Sequence, residues 1–390
     1  MPGAEFEQRE LPQREVEQRE VRQRFVAVDS PTGRVNGAGF HPCQGVWHAP
    51  AGATPKTAVI AAHYSVDFSE HYLAPRLAAR GIGFLGWNTR YRNNESWFLL
   101  EHALVDLGAG VRWLRDEAGV DTVVLLGNCG GGSLMAAYQS QASAPTLEPE
   151  GAGPTVRAAL EDLAPGDLYI SLQAHPGRPE VLTTWLDPSV TDEADPLSRD
   201  PGLDMYDADH GPPYTDEFAA RYRQAQVERN HRITRWVDAE LERLAHAGAY
   251  DRNFNVHRTW ADLRFMDPAL DGSERPARRC LAGDPAWANA SPFGIAASSS
   301  LRTWSSMWSL RDSQCRGAPH LPRITVPALV AQSTADVSVF PSDARSIFDA
   351  LGSTDKELVW LAGDHYLASP DDARDGVAEL IADWVTAHRA

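Results

Sequence analysis

Three residues far apart in the chain have the types and the order of a nucleophile, an acid and a base. Cys129 lies among glycines in Gly127-Asn-Cys-Gly-Gly131, Asp336 follows an apolar run, and His365 follows another in Gly363-Asp-His365. A cysteine attacks a carbonyl carbon once a histidine takes its proton, and a carboxylate can fix the tautomer of that histidine. The three residues therefore predict covalent catalysis through an acyl-enzyme on Cys129.

The segment around Cys129 predicts a strand that turns abruptly into a helix. Asp121–Gly127 is apolar, and a helical pattern runs from Gly130 to Gln141. Glycines around the nucleophile avoid collisions in the strained turn, and the helix start favours a thiolate. The N–H of Gly130 would then face the oxyanion. A phosphate-binding loop is one alternative, although the segment lacks G-x-G-x-x-G and a G-K-[ST] ending. A buried structural cysteine is the other.

Asp336 and His365 each follow a predicted strand near the end of the chain. The strands are Ile324–Ala331 and Glu357–Leu361. Because the carboxyl ends of parallel strands meet at one edge of a sheet, we expect both side chains to converge with Cys129. Asp343 is the alternative acid, although it could instead cap the helix that follows.

The chain alternates between apolar runs and helical patterns, which predicts an α/β fold with a mostly parallel, doubly wound sheet. The predicted strands are Thr57–Ala62, Ile82–Trp87, Asp121–Gly127, Asp167–Leu172, Ile324–Ala331 and Glu357–Leu361. The predicted helices of this core are Ser69–Arg80, Ser96–Ala118, Gly130–Gln141, Pro341–Leu351 and Asp371–His388. An antiparallel hairpin over residues 21–48 precedes them.

The alternation stops at residue 175, and residues 175–320 are too long for a loop in a compact domain. We expect a large, mainly helical cap there, inserted into a core of residues 21–174 and 321–390. Thr215–His246 is its clearest helix. Residues 1–20 carry Gln-Arg-Glu repeats and are expected to form a flexible arm.

Further side chains could complete the site. The amides of Tyr64 and Ser65, after the first core strand, are candidates for a second oxyanion donor. Substrate contacts are predicted for His63, His175, Arg90, Trp260, Trp304 and Trp308. The tryptophans could line an apolar acyl pocket or simply fix the cap to the core. His175 could instead be a turn residue, and Arg90 could form a structural ion pair.

The composition limits the possible partners. A net charge of −17 disfavours nucleic acid and anionic membranes. The charged N-terminus, the widely spaced cysteines and the lack of a long apolar run predict a reduced, cytoplasmic protein without membrane spans. His41, Cys43 and His48 have metal-binding side chains but no fourth ligand at paired spacing, so we expect no metal site. The chain could form a homodimer.

The motifs Gly127–Gly131, Gly363–His365 and the strand end at Asp336 resemble those of the α/β-hydrolase superfamily. The resemblance extends from about residue 22 to residue 388, apart from the insertion. It implies a carboxylic ester, thioester, lactone or amide as substrate, and no cofactor. Most members use serine as nucleophile; dienelactone hydrolases resemble this chain in using cysteine, but they are shorter and lack so large a cap. Cys129 is therefore either native, favouring thioester or acyl-transfer chemistry, or a replacement for serine.

Three functions are consistent with these features. The first is a hydrolase or acyltransferase that acts on a small, apolar or aromatic acyl substrate. The second is a lyase, isomerase or cyclase that uses the same pocket without an acyl-enzyme. The third is a ligand-binding protein in which the triad of Cys129, Asp336 and His365 is inactive.

Overall fold

The computed structural model describes residues 6–9, 11, 19–33, 42–148 and 153–389. Its central sheet has eight strands in the order β1-β2-β4-β3-β5-β6-β11-β12. These strands are β1 (Val21–Val28), β2 (Cys43–Pro50), β3 (Thr57–Ala61), β4 (Gly83–Asn88), β5 (Thr122–Cys129), β6 (Leu168–Ala174), β11 (Ala328–Ser333) and β12 (Lys356–Leu361). β2 is antiparallel to both of its neighbours, and the pairs from β4 to β12 are parallel. The predicted α/β fold and its N-terminal hairpin are confirmed.

Helices cover both faces of this sheet. The helices of the chain are α1 (Ala74–Ala79), α2 (Leu100–Asp116), α3 (Gly131–Ser143), α4 (Pro154–Glu161), α5 (Arg178–Trp185), α6 (Asp216–His246), α7 (Leu263–Met266), α8 (Pro285–Ala290), α9 (Leu301–Thr303), α10 (Pro341–Ala350) and α11 (Ala373–His388). α2, α3, α4 and α10 pack on one face and α1 and α11 on the other, each side with its own apolar core. Every residue of β3 and β6 is buried, as expected of strands covered on both sides.

Two helix starts differ from the predictions. The first helix begins at Ala74 and not at Ser69, because Pro75 lies in its first turn, where a missing N–H costs no hydrogen bond. The second begins at Leu100 and not at Ser96; Ser96 instead donates its N–H to the side chain of Asn94. Both segments read as helical because their apolar residues continue the helical spacing through the preceding loops.

The insertion lies between β6 and β11 and carries the strands β7 (Val190–Asp192), β8 (Asp195–Arg199), β9 (Asn253–Asn255) and β10 (Ser298–Ser300). Its longest element is α6, whose N-terminus is capped by Thr215: the hydroxyl accepts the N–H of Phe218 at 3.2 Å. Two apolar clusters lie mainly within the insertion, while Ile233 and Trp304 join the main core. The insertion therefore packs directly on the sheet domain.

Part of the predicted flexible arm contacts the sheet. The ring of Phe6 lies 4.9 Å from that of Trp360, and the N–H of Arg9 donates to the carbonyl of Trp360 at 3.0 Å. These contacts cover an apolar side chain on the edge strand β12. Residues 12–18, which include the whole of the second Gln-Arg-Glu repeat, and His41 lie outside the described residues. Within the described ranges, no helix is long and apolar enough to cross a membrane.

Candidate active site

The turn between β5 and α3 holds Cys129 in a strained conformation. Its φ of 55° lies in the left-handed region, which a residue with a side chain rarely adopts. The turn also depends on glycine. A Cβ on Gly127 would lie 2.6 Å from the Cα of Gly132, and a Cβ on Gly131 would lie 2.2 Å from the carbonyl oxygen of Ala62. This strand–helix turn, Gly127–Gly131, is called the elbow, and it places the Cys129 side chain at the start of α3.

His365 and Asp336 meet at the carboxyl ends of β12 and β11. The imidazole Nδ1 lies 2.8 Å from Oδ2 and 3.0 Å from Oδ1 of the carboxylate. Oδ1 also accepts the N–H groups of Ser338 at 2.8 Å and Val339 at 3.0 Å. Asp336 is therefore held as a buried carboxylate, and Nε2 of His365 remains for the thiol. Asp343, the alternative acid, instead accepts the Phe340 N–H at 2.9 Å at the start of α10.

The charges of this cluster favour a thiolate next to an imidazolium. Burial alone would raise the pKa of Cys129, but His365 and His175 lower it well below its ordinary value. Burial alone would lower the pKa of His365, but the Asp336 carboxylate and the Cys129 sulfur raise it well above its ordinary value. Both shifts stabilise the same ion pair, which is the reactive form of a cysteine nucleophile.

His175, predicted as a substrate contact, lies directly beside Cys129. Its backbone N–H donates to the Cys129 carbonyl at 3.1 Å, and its ring Nε2 lies 3.3 Å from the Ser338 hydroxyl. Its ring meets that of Trp185 edge-on, with centroids 5.8 Å apart. The buried Nδ1 has no hydrogen-bond partner among the described residues. His175 is therefore a buried neighbour of Cys129 that packs between Ser338 and Trp185.

His63 is a second histidine close to Cys129, and it has a defined tautomer. Its Nδ1 accepts the N–H groups of Ser65 at 3.2 Å and Val66 at 3.1 Å, so the ring hydrogen sits on Nε2. Burial lowers the pKa of His63, which keeps the ring neutral near pH 7. Nε2 points at the elbow, since a Cβ on Gly130 would lie only 2.6 Å from it. The Ser65 amide, predicted as an oxyanion donor, is thus engaged within its own loop.

The remaining predicted residues have mainly structural contacts. Arg90 donates to both oxygens of Asp106, at 2.7 and 2.8 Å, which ties the end of β4 to α2. Trp304 donates to the Thr234 hydroxyl at 3.0 Å inside the insertion. Trp260 stacks on Trp185 with ring centroids 4.8 Å apart.

Two interacting residues, Arg178 and Glu95, were not predicted. Arg178, the first residue of α5, places its guanidinium 4.4 Å from the ring centroid of Trp308, and Glu95 accepts its Nη2–H at 2.9 Å. The sequence gives a weak signal for this arginine, because it follows a Pro-Gly pair that reads as an exposed turn. Only its position just after a strand of the core could have indicated a role.

The chain resembles solved α/β hydrolases in three dimensions. The α/β hydrolase GrgF from Penicillium sp. sh18 superimposes with a TM-score of 0.50 at 13% sequence identity, over 94% of this chain and 99% of that chain. Dienelactone hydrolase from Anabaena variabilis gives a TM-score of 0.43 at 12% identity, over 95% and 99% of the two chains. No protein-family model and no curated protein sequence matches the chain. The sheet order and the likeness to GrgF confirm the predicted α/β-hydrolase fold.

Proposed function

We propose that this chain hydrolyses a carboxylic ester, thioester or lactone, or transfers its acyl group, through a covalent intermediate on Cys129. One observation carries the proposal: a cysteine strained at a strand–helix elbow lies beside a buried histidine whose Nδ1 is 2.8 Å from a buried carboxylate. This arrangement supplies a nucleophile, its base and the group that orients the base. The insertion would act as a cap that limits access to them.

The reaction would proceed in two halves. In the first, His365 takes the proton of Cys129, the thiolate adds to the carbonyl carbon, and the leaving oxygen or sulfur departs with the proton from His365. In the second, His365 takes a proton from water or an acceptor alcohol, whose oxygen attacks the thioester carbonyl. The acyl product leaves, and the proton returns to Cys129. Asp336 would stabilise the imidazolium in both halves.

The oxyanion would be held by Gly130 and His63. The N–H of Gly130 follows the nucleophile at the start of α3. The second donor is the Nε2–H of His63, a neutral ring fixed by two backbone N–H groups. A neutral donor held in place before the reaction stabilises developing charge without reorganisation. The Tyr64 amide remains the backbone alternative.

An enzyme is favoured over a binding protein because Cys129, His365 and Asp336 lie in one interacting cluster. A binding protein has no need for the ion pair of Cys129 and His365, whose pKa values move in opposite directions. A lyase or cyclase could use His365, but it would not depend on the Cys129 sulfur. The two classes therefore differ in their response to replacement of the thiol.

The test is turnover of an ester, thioester and lactone panel by the natural chain, Cys129→Ala and Cys129→Ser. We expect Cys129→Ala to lose turnover of every substrate that the natural chain accepts. Cys280→Ser is the matched control, because burial raises the pKa of that thiol to about 11 and it lies in the insertion. Full turnover by Cys129→Ala would overturn the proposal. Higher turnover by Cys129→Ser than by the protein with Cys129 would indicate that this cysteine replaces a serine.

A further inference from the structure

A buried arginine reaches the catalytic elbow from the insertion. Arg178 is 4% exposed and begins α5, just after the end of β6. A Cβ on Gly130 would lie 3.1 Å from its Nη1 and 2.6 Å from Nε2 of His63. The guanidinium and the proposed oxyanion donors therefore line the same small space next to Cys129.

Acceptors of the protein bind only some of the N–H donors of this guanidinium. Nη2 donates to Glu95 at 2.9 Å, while Nε is buried without a hydrogen-bond partner among the described residues. The carboxylate of Glu95 is shared, because its Oε1 accepts the Ala296 N–H at 2.9 Å and its Oε2 the Ser65 hydroxyl at 3.3 Å. A guanidinium has five N–H donors, so one shared carboxylate leaves capacity for a further acceptor.

Aromatic rings fix the plane of the guanidinium. Its central carbon lies 4.4 Å from the ring centroid of Trp308 and 5.2 Å from that of Tyr64. The indole Nε1 of Trp308 is also buried without a partner among the described residues. Rings on a guanidinium orient its in-plane donors and lower the cost of binding a planar anion. The arrangement is that of a preformed binding site for a group that accepts hydrogen bonds.

We propose that Arg178 binds a carboxylate of the substrate, so that the enzyme acts on esters or thioesters that carry a second, ionised carboxyl group. The inference rests on the proposed function and specifies its substrate class. Arginine suits this role because its planar fork matches a carboxylate in two parallel hydrogen bonds. The alternative is a purely structural tie, in which Arg178 and Glu95 only connect the insertion to the loop after β4.

The test compares charged esters with their neutral counterparts. For a carboxylate on the acyl side, the pair is 4-nitrophenyl hydrogen adipate and 4-nitrophenyl methyl adipate. For a carboxylate on the leaving group, it is 3-acetoxybenzoate and its methyl ester. We expect the natural chain to prefer the charged member of at least one pair. In Arg178→Gln that preference in kcat/KM should fall about 10- to 100-fold, mainly through KM, as for a lost hydrogen bond between charged groups.

Two variants separate recognition from folding. Arg178→Lys retains the charge but loses the planar fork, and should keep part of the preference. Arg311→Gln removes an arginine elsewhere in the insertion, where it pairs with Asp238 at 2.8 Å on the surface, and should change no preference. Equal turnover of charged and neutral esters by the natural chain would overturn the inference, as would a preference that survives in Arg178→Gln.

A binding measurement keeps this inference separate from the proposed function. Titration of Cys129→Ala with monomethyl adipate and with dimethyl adipate needs no turnover. Preferential binding of the monoester, lost in the Cys129→Ala, Arg178→Gln double variant, would support the carboxylate site even if no substrate were turned over. Equal or undetectable binding of both probes would refute it, whereas preserved binding together with no turnover by the chain that carries Cys129 would refute only the proposed reaction.

Discussion

The role of Asp336 can be tested by removing its charge and keeping its shape. In Asp336→Asn, the imidazolium of His365 loses the carboxylate 2.8 Å from its Nδ1. The pKa of His365 should fall, so its positive charge beside Cys129 persists only to a lower pH. The pKa of Cys129 should then rise, because that charge is what lowers it. Thiolate formation at Cys129 should therefore shift to higher pH.

The size of the shift follows from the contact that is lost. A hydrogen bond to a charged group contributes about 1.5–3 kcal/mol, and one pKa unit corresponds to about 1.4 kcal/mol. Both partners are almost fully buried, at 1% for Asp336 and 4% for His365, so solvent screens the interaction little. The midpoint of thiolate formation should move upward by about one to two pH units. Turnover should fall by about 10²- to 10⁴-fold.

The assay is the rate of iodoacetamide alkylation of Cys129 against pH, followed by intact mass. It reports the thiolate directly and requires no substrate. Asp343→Asn is the matched control, because Asp343 caps α10 and should leave the midpoint unchanged. An unchanged midpoint in Asp336→Asn, or an equal shift in Asp343→Asn, would refute the role assigned to Asp336.

Three further predictions concern a side chain next to Cys129, the turn that holds Cys129, and the insertion. His63→Phe should reduce kcat about 10²- to 10³-fold with little change in KM, as for a lost oxyanion donor, and unchanged steady-state kinetics would contradict this. Gly131→Ala should lower the free energy of unfolding in urea by about 1–3 kcal/mol, since its Cβ would meet the Ala62 carbonyl at 2.2 Å; wild-type stability would count against the tight elbow. Arg229→Met should lower the free energy of unfolding by about 1–3 kcal/mol, because the carbonyls of Asp187 and His257 lose their donor while Glu193 keeps Arg232 at 3.0 Å. An unchanged urea midpoint would disprove this.

The sequence predicted the core because its strands and helices follow strong local rules. The strands β3, β5 and β6 are mostly apolar and almost completely buried, so their runs stand out without any partner being known. The elbow was predictable because only glycine fits at Gly127 and Gly131. The strand ends at Asp336 and His365 were predictable from the apolar runs that precede them, and these two side chains are in contact in the structure.

Other parts of the site depend on contacts that no local pattern encodes. The choice of Asp336 over Asp343 rests on which carboxylate meets Nδ1 of His365, a contact between separate strand ends. The engagement of the Ser65 amide depends on the ring of His63 turning back on its own loop. Arg178 acquires its position near the elbow only in the folded chain, because its partners Glu95 and Trp308 are distant in sequence.

The central claim is a covalent acyl-enzyme on Cys129, and its most direct test is mass spectrometry of the reacting protein. The natural chain is mixed with 4-nitrophenyl acetate, quenched in acid within the first turnover, weighed intact and digested for peptide mapping. We predict a mass increase of one acetyl group on the peptide that contains Cys129, absent from Cys129→Ala and strongly reduced in His365→Ala. Turnover without any adduct, or an acetyl group that persists in Cys129→Ala, would contradict the account.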